Sequence, residues 1–154
     1  MLKPALLRKT LMDAVPQFRN DPDKLKLYIE HGNVISTLAP SLSHEHQYTL
    51  AVTIINFSGS VNAVFVPILS WLRCHQPDGM SNPDMRQDAF TYEIDILNNE
   101  ACDIEITLKL TERTVVSEDD TGNLNARDVG EPPSPYDRHG PFHMEGVNGS
   151  EWTV

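Results

Sequence analysis

From Gln47 to Leu72 the chain carries no acidic or basic side chain, and the spacing of its apolar residues changes partway along. Through Tyr48 to Phe57 both alternating sets avoid charge: Leu50, Val52 and Ile54 on one side, Ala51, Thr53 and Ile55 on the other. That is the pattern of a β-strand covered on both faces. From Val61 the interval lengthens to three or four residues, through Val64, Phe65, Ile68, Leu69 and Leu72, the spacing of an apolar helical stripe. An uncharged stretch of this length spans a bilayer only if its centre is apolar. Here the centre reads Asn56, Phe57, Ser58, Gly59, Ser60, Val61, Asn62, so the segment predicts a strand, a turn and a helix, with no membrane partner. Pro67 supplies no backbone donor and is expected in the first turn of the main helical segment or at a kink. Trp71 and Cys74 fall off the stripe, where they can meet another layer of the fold or another subunit.

The flanking segments supply the rest of a sheet. Pro4 sits near a helix start, and Leu7, Leu11 and Ala14 follow at helical intervals, predicting a helix that ends near Val15. Pro16 disfavours helical geometry in the residue before it, which assigns Phe18 to the connection. Leu25, Leu27 and Ile29 alternate with Lys26, Tyr28 and Glu30 as in a strand. Gly32 and Asn33 break the run before Val34 to Leu38, predicting a hairpin around Gly32. After a polar loop from Met80 to Gln87, Phe90, Tyr92, Ile94 and Ile96 alternate with polar residues. Beyond Asn98 to Glu100 a second alternation runs through Cys102, Ile104, Ile106, Leu108 and Leu110, completing a long antiparallel hairpin, and Thr114 to Ser117 adds a short strand. The order gives an α+β class, a mainly antiparallel sheet backed by two helices, in a core domain of residues 1–118.

Beyond Glu118 acidic residues, Gly and Pro dominate, including Glu131, Pro132, Pro133 and Pro135. Residues 119–154 are therefore expected to form an acidic, Pro-containing extension with little apolar area to offset the cost of ordering. At its end Asn148 and Gly149 form a dipeptide favoured in tight turns, and Met144, Val147 and Trp152 surround it, predicting a terminal hairpin that folds against a neighbouring subunit.

The formal charge of -10 and the lack of a Lys and Arg cluster argue against nucleic acid as a partner. Cys74 and Cys102 have neither zinc-site nor redox-motif spacing and read as reduced thiols. Glu93, Asp95, Asp103 and Glu105 share the polar face of the late hairpin, where paired carboxylates can act as acid and base or hold a divalent cation. His44 and His46, two residues apart on a strand, point the same way and make half of a metal site. No third or fourth ligand follows from the spacing of His31, His75, His139 or His143, and no phosphate-cradling or nucleophile-turn motif occurs. Surface carboxylates and surface histidines are the simpler reading, with no catalytic residue, metal or cofactor.

Several segments together carry a resemblance: Met1-Leu2-Lys3-Pro4 with Leu7, Arg8 and Asp13-Ala14-Val15; Ser36-Thr37-Leu38-Ala39 with Ser41-Leu42-Ser43 and Tyr48-Thr49-Leu50; Val66-Pro67 with Trp71-Leu72-Arg73 and Gln76-Pro77-Asp78; Leu110-Thr111-Glu112-Arg113-Thr114; and Glu131-Pro132-Pro133. The chain resembles the tail completion protein R (GpR) family of temperate contractile-tailed enterobacterial phages. The resemblance implies a structural, non-enzymatic protein that finishes the tail so that it can join a filled head. By analogy it implies a tail-terminator-like α+β fold, a six-fold ring of copies on the tail tube, and contacts to tube, sheath and head-tail connector proteins. Such a protein is assembled in the host cytoplasm and carried in the virion. Trp71, Arg73, Thr111, Glu112, Arg113, Thr114 and Trp152 are the expected subunit-interface residues, because a ring contact needs rigid, partly apolar anchors and favours Arg. A head-tail connector adaptor, and from a different class a small metal-dependent hydrolase using the hairpin carboxylates with His44 and His46, are the alternatives.

Overall fold

Leu7, Leu11 and Ala14 recur at the helical interval, and Lys3–Ala14 folds as helix α1 with all three buried. Val15 leaves the helix in an extended conformation, as a residue before proline should, and Pro16–Asn20 forms a second short helix, α2. Phe18 belongs to this helix and not to an irregular connection, and its ring is fully buried against Phe57. The computed structural model describes residues 1–37 and 39–137 and, beyond them, the short strands His143–Glu145 and Glu151–Thr153.

Strand β1 (Leu25–Ile35) runs through Gly32 and Asn33 without a turn. The expected hairpin around Gly32 is therefore corrected: both halves of β1 pair with the same strand, β2 (His44–Ser58), which begins after the end of β1 at Ile35. The irregularity sits earlier, as a register shift between Ile29 and His31 that leaves Glu30 as the extra residue of a bulge. Strands β3 (Phe90–Ile96), β4 (Ala101–Glu118) and β5 (Leu124–Val129) follow. The main sheet is antiparallel in the order β1-β2-β4-β3, with β5 on the far half of β4. Thr114 to Ser117 is thus the continuation of β4 and not a separate strand.

Side chains at even positions of β2 and β4, from Tyr48 to Ile54 and from Ile104 to Leu110, are buried beneath the helices. The other face carries a mixture: Ala51 is buried, Thr49 and Thr53 are half-buried, and Ile55 is 49% exposed. The expectation that both faces of β2 are covered is thus only half met, because one helical layer serves one face. A second bulge sets Ile55 and Asn56 opposite Asp103. Asn56 takes a left-handed φ of 48°, which asparagine tolerates, and its N–H donates to Asp103 Oδ1 at 2.7 Å.

Helix α3 (Asn62–His75) buries Ala63, Val64, Pro67, Ile68, Trp71 and Leu72. This stripe is rotated from the expected one. Trp71 lies on it, and Leu69 at 43% exposure lies off it, because the spacing fits either line and the larger ring takes the core position. Pro67 stands past the first turn, inside the helix. A short helix, α4 (Pro77–Ser81), follows and takes in the first two residues of the expected polar loop. No helix among the described residues is long and apolar enough to cross a membrane.

Past Glu118 the sheet continues into β5, part of the segment assigned to the extension: a paired edge strand gains its hydrogen bonds from the backbone and needs little apolar area. The terminal strands β6 (His143–Glu145) and β7 (Glu151–Thr153) pair antiparallel, as the expected hairpin requires; its turn at Asn148 and Gly149 lies outside the described residues.

Candidate functional site

The carboxylates singled out from the sequence do meet on the open face, Glu93 opposite Glu105 and Asp95 opposite Asp103. Asp103 already serves the β2 bulge. Glu93 and Glu105 line a cleft of about 290 Å3 with Glu30, Thr91, Tyr92 and Thr107, and its lining among the described residues includes no basic side chain and no thiol. Among the described residues no group of three or more His, Cys, Asp or Glu is arranged to hold a metal ion.

His44 and His46 point the same way, with their Nε2 atoms 3.2 Å apart and their rings edge to face. His44 Nδ1 lies 2.9 Å from the Leu42 carbonyl, which only accepts. In neutral rings Nδ1 of His44 therefore carries its proton, and His46 Nε2 donates to His44 Nε2. The pair is satisfied internally, a different use of the geometry that also suits two metal ligands.

A denser polar cluster lies where α1 begins, α3 ends and β4 passes from β3 to β5. Glu112 is 4% exposed, and its carboxylate accepts from Leu2 N at 2.7 Å, Lys3 N at 3.1 Å and Tyr48 Oη at 2.5 Å. The first N–H groups of a helix have no partner within it. Helix α1 has no side-chain cap of its own and no acid in its first turn, so Glu112 supplies both cap and charge from another strand. Burial, then the hydrogen bond to Glu112, push the Tyr48 phenol far above its ordinary range.

Lys3 is 3% exposed and donates from Nζ to Gln76 Oε1 at 2.8 Å and Glu131 Oε1 at 3.1 Å. Gln76, 2% exposed just past the end of α3, fills all of its hydrogen-bonding positions. Its oxygen also accepts from Thr111 N at 2.9 Å, and its Nε2 donates to Asp78 Oδ1 at 2.7 Å and Thr111 Oγ1 at 3.0 Å. On β4 the pairing with β3 ends at Leu108 and that with β5 begins at Arg113, so Gln76 takes the place of a strand partner in the gap. Nearby, the Met1 ammonium lies 2.6 Å from Asp128 Oδ2, and Asp128 Oδ1 accepts from Thr114 Oγ1 at 2.8 Å. The ammonium's hydrogen bond and then that of Thr114 hold the Asp128 carboxyl below the usual range.

The segments that carry the family resemblance converge here: Lys3, Tyr48, Gln76, Thr111, Glu112 and Glu131 come from five of the motifs quoted above. Most of these residues were missed as site residues. One signal was present, since a lysine in the first turn of a helix opposes the helix dipole unless something nearby answers its charge. Of the expected interface residues, Trp71, Glu112 and Thr114 are buried within the chain, and Thr111 is half-buried on Gln76. Arg113 is exposed, and Arg73 is exposed with its guanidinium 5.0 Å from the Tyr136 ring centre. Trp152 belongs to β7, but its side chain lies outside the described residues.

The arrangement is an α+β body whose separated segments are tied through one buried polar cluster, a site that holds shape. The chain belongs to the P2 phage tail completion protein R (GpR) family, whose family model matches residues 1–132 and so ends one residue past Glu131. It is 43% identical over 155 residues to tail completion protein R of Escherichia phage P2, an alignment that covers 99% of each chain. No solved structure matches it.

Proposed function

We propose that this chain is a structural tail completion protein that caps the head-proximal end of the phage tail tube as a ring of copies, six in number, and makes the tail competent to join a head. The observation that carries the reading is the 43% identity, over essentially the whole of both chains, to a protein named for tail completion, to which the cap and the ring of six are added by analogy. The polar cluster supports it, since a subunit that packs on several neighbours works through a rigid shape. Arg73 and Arg113, exposed beside that cluster, are the side chains that reach a neighbour. Trp71, Thr111, Glu112 and Thr114 act from beneath by fixing the surface that carries them, and Trp152 acts from the terminal hairpin. The partners are further copies of the chain, tube and sheath proteins, and the head-tail connector, with assembly in the host cytoplasm. Catalysis, metal and cofactor have no part in this reading.

Electron microscopy of a phage lacking the gene tests it. Tubes of irregular length, or finished tails lying beside unjoined heads, are expected, with joining restored when the gene is supplied in trans. Tails of normal length joined to heads in its absence would refute the role. A defect confined to the head side of the junction would favour a connector adaptor instead.

A further inference from the structure

The two outer strands of the sheet carry complementary overhangs. Strand β1 has its free edge on one side and β3 on the other, and among the described residues no backbone or side-chain hydrogen bond caps β1 beyond Leu25 or the outer edge of β3. Proteins commonly protect such edges with proline, a covering loop or charges pointing inward. Neither strand contains proline. Both instead leave apolar side chains uncovered on the face that bears the helices. On β1 these are Ile29, 39% exposed, and Val34, 64% exposed; on β3 they are Tyr92, 54% exposed, and Ile96, 77% exposed.

We propose that neighbouring copies in the ring join edge to edge, β1 of each copy pairing antiparallel with β3 of the next. The inference rests on the ring reading above and deepens it. Direction comes first. Within the sheet β1 and β3 run antiparallel, because three antiparallel steps separate them, so a head-to-tail array that repeats the sheet keeps an antiparallel pair at every junction. Register comes second. Lys26, Thr53, Glu105 and Glu93 lie in one row across the open face, and Leu27, Val52, Ile106 and Tyr92 in the adjacent row on the helix face. Continuing the rows into the next copy sets Lys26 beside Glu93 on one face and Leu27 beside Tyr92 and Ile29 beside Phe90 on the other. A slip of two residues keeps the faces matched and moves Lys26 to Asp95 or Thr91. Charge comes third. The open face near β3 carries Glu93, Asp95, Asp103 and Glu105, so pairing two β3 edges would set like charges together, whereas Lys26 answers them. A contact between two different edges is heterologous and closes only as a ring, which suits a cap on a tube.

Charge reversal in the full-length protein tests the pairing, read by light scattering of purified protein with and without tail tubes. Lys26→Glu and Glu93→Lys are each expected to raise the concentration for half-assembly by about tenfold, and the double variant to recover to within about threefold of wild type. Both sites are exposed, and circular dichroism melts confirm that the variants fold. Hydrogen exchange gives a readout independent of side chains: amides in residues 26–29 and 91–94 become protected together on assembly. Wild-type assembly with unchanged exchange at both edges overturns the pairing and leaves the ring standing. Protection of β1 alone, with Lys26→Glu weakening and the double variant not recovering, overturns it in favour of a two-fold β1 contact. A wild-type chain that stays monomeric even on tail tubes overturns the ring reading together with this one.

Discussion

Glu112→Ala removes the acceptor that serves three donors at once: the N–H groups of Leu2 and Lys3 and the Tyr48 hydroxyl. Lys3 and Tyr48 are both buried, at 3% and 5% exposure, so little water replaces the lost carboxylate. Each buried polar group left unpaired costs about 1–3 kcal/mol. Three such groups give about 3–9 kcal/mol at full cost. Leu2 is 40% exposed and its N–H can take a water, so the lower part of that range, about 3–5 kcal/mol, is expected, a large part of the ~5–15 kcal/mol that holds a domain of ordinary stability. Glu112→Gln keeps an oxygen for the backbone donors but turns an N–H toward Tyr48, for an expected loss of about 1–2 kcal/mol. Tyr48→Phe removes one donor from a carboxylate that keeps two others, for about 1 kcal/mol. Urea unfolding followed by circular dichroism and by tryptophan fluorescence measures all three, with the denaturant slope unchanged. The Tyr48→Phe and Glu112→Gln pair closes a double-mutant cycle with an expected coupling of about 1 kcal/mol. A Glu112→Ala loss below about 1 kcal/mol, or no greater than that of Glu112→Gln, would refute the capping argument.

Other positions give independent checks. Gln76→Leu keeps the bulk but strands Thr111 N and leaves Lys3 Nζ with Glu131 alone, and is expected to lower the urea midpoint by the equivalent of about 2–4 kcal/mol; a loss under about 1 kcal/mol would show that Gln76 is dispensable in the gap between β3 and β5. Phe18→Ala empties a fully buried site beside Phe57 and should cost about 3–5 kcal/mol, where a connection residue would cost far less. In the β4 to β5 turn, Thr121 Oγ1 and then the Asn123 N–H lower Asp119 from 3.8 to about 2, so its contribution is present above its ordinary value and is lost as pH falls through about 2; a carboxyl NMR titration near 3.8 would contradict the turn geometry. The Met1 ammonium is raised from 8.0 by Asp128, and Asp128 is lowered from 3.8 by the ammonium. Their pairing is complete between those two ordinary values, fading as pH rises through the raised one and as it falls through the lowered one. Melts of wild type and Asp128→Asn across this range should differ most in the middle; a constant difference would sink the assignment.

Periodicity carried most of the fold. The alternation of β3 and β4 and the helical spacing of α1 gave elements in the right places, because each has one face on the core and one on water. Periodicity failed where two faces had similar character. In α3, Val64, Pro67, Ile68, Trp71 and Leu72 are spaced as regularly as the line through Phe65 and Leu69, and packing alone chose between them. Gly32 looked like a turn because glycine usually marks one, but here β2 runs unbroken opposite it and the pairing continues to Ile35 and Glu45. The polar cluster was least legible. Lys3, Gln76, Glu112 and Glu131 are far apart in sequence, and each has an ordinary local reading: a helix start, a helix end, a strand, a proline-rich segment. Only the register of β4 and the crossing of α1 over it bring them together. The carboxylates and the His44 and His46 pair lie on the expected faces, yet Asp103 holds the Asn56 N–H and His44 meets the Leu42 carbonyl, structural work that spacing alone did not reveal.

A protein that completes the tail in this way sits at one place on it. Electron microscopy of purified tails decorated with gold-labelled antibody against this chain tests it most directly. Label confined to the end of the tail that meets the head, on every finished tail, is the predicted result. Label along the whole tube, at the opposite end, or only on heads would contradict the account.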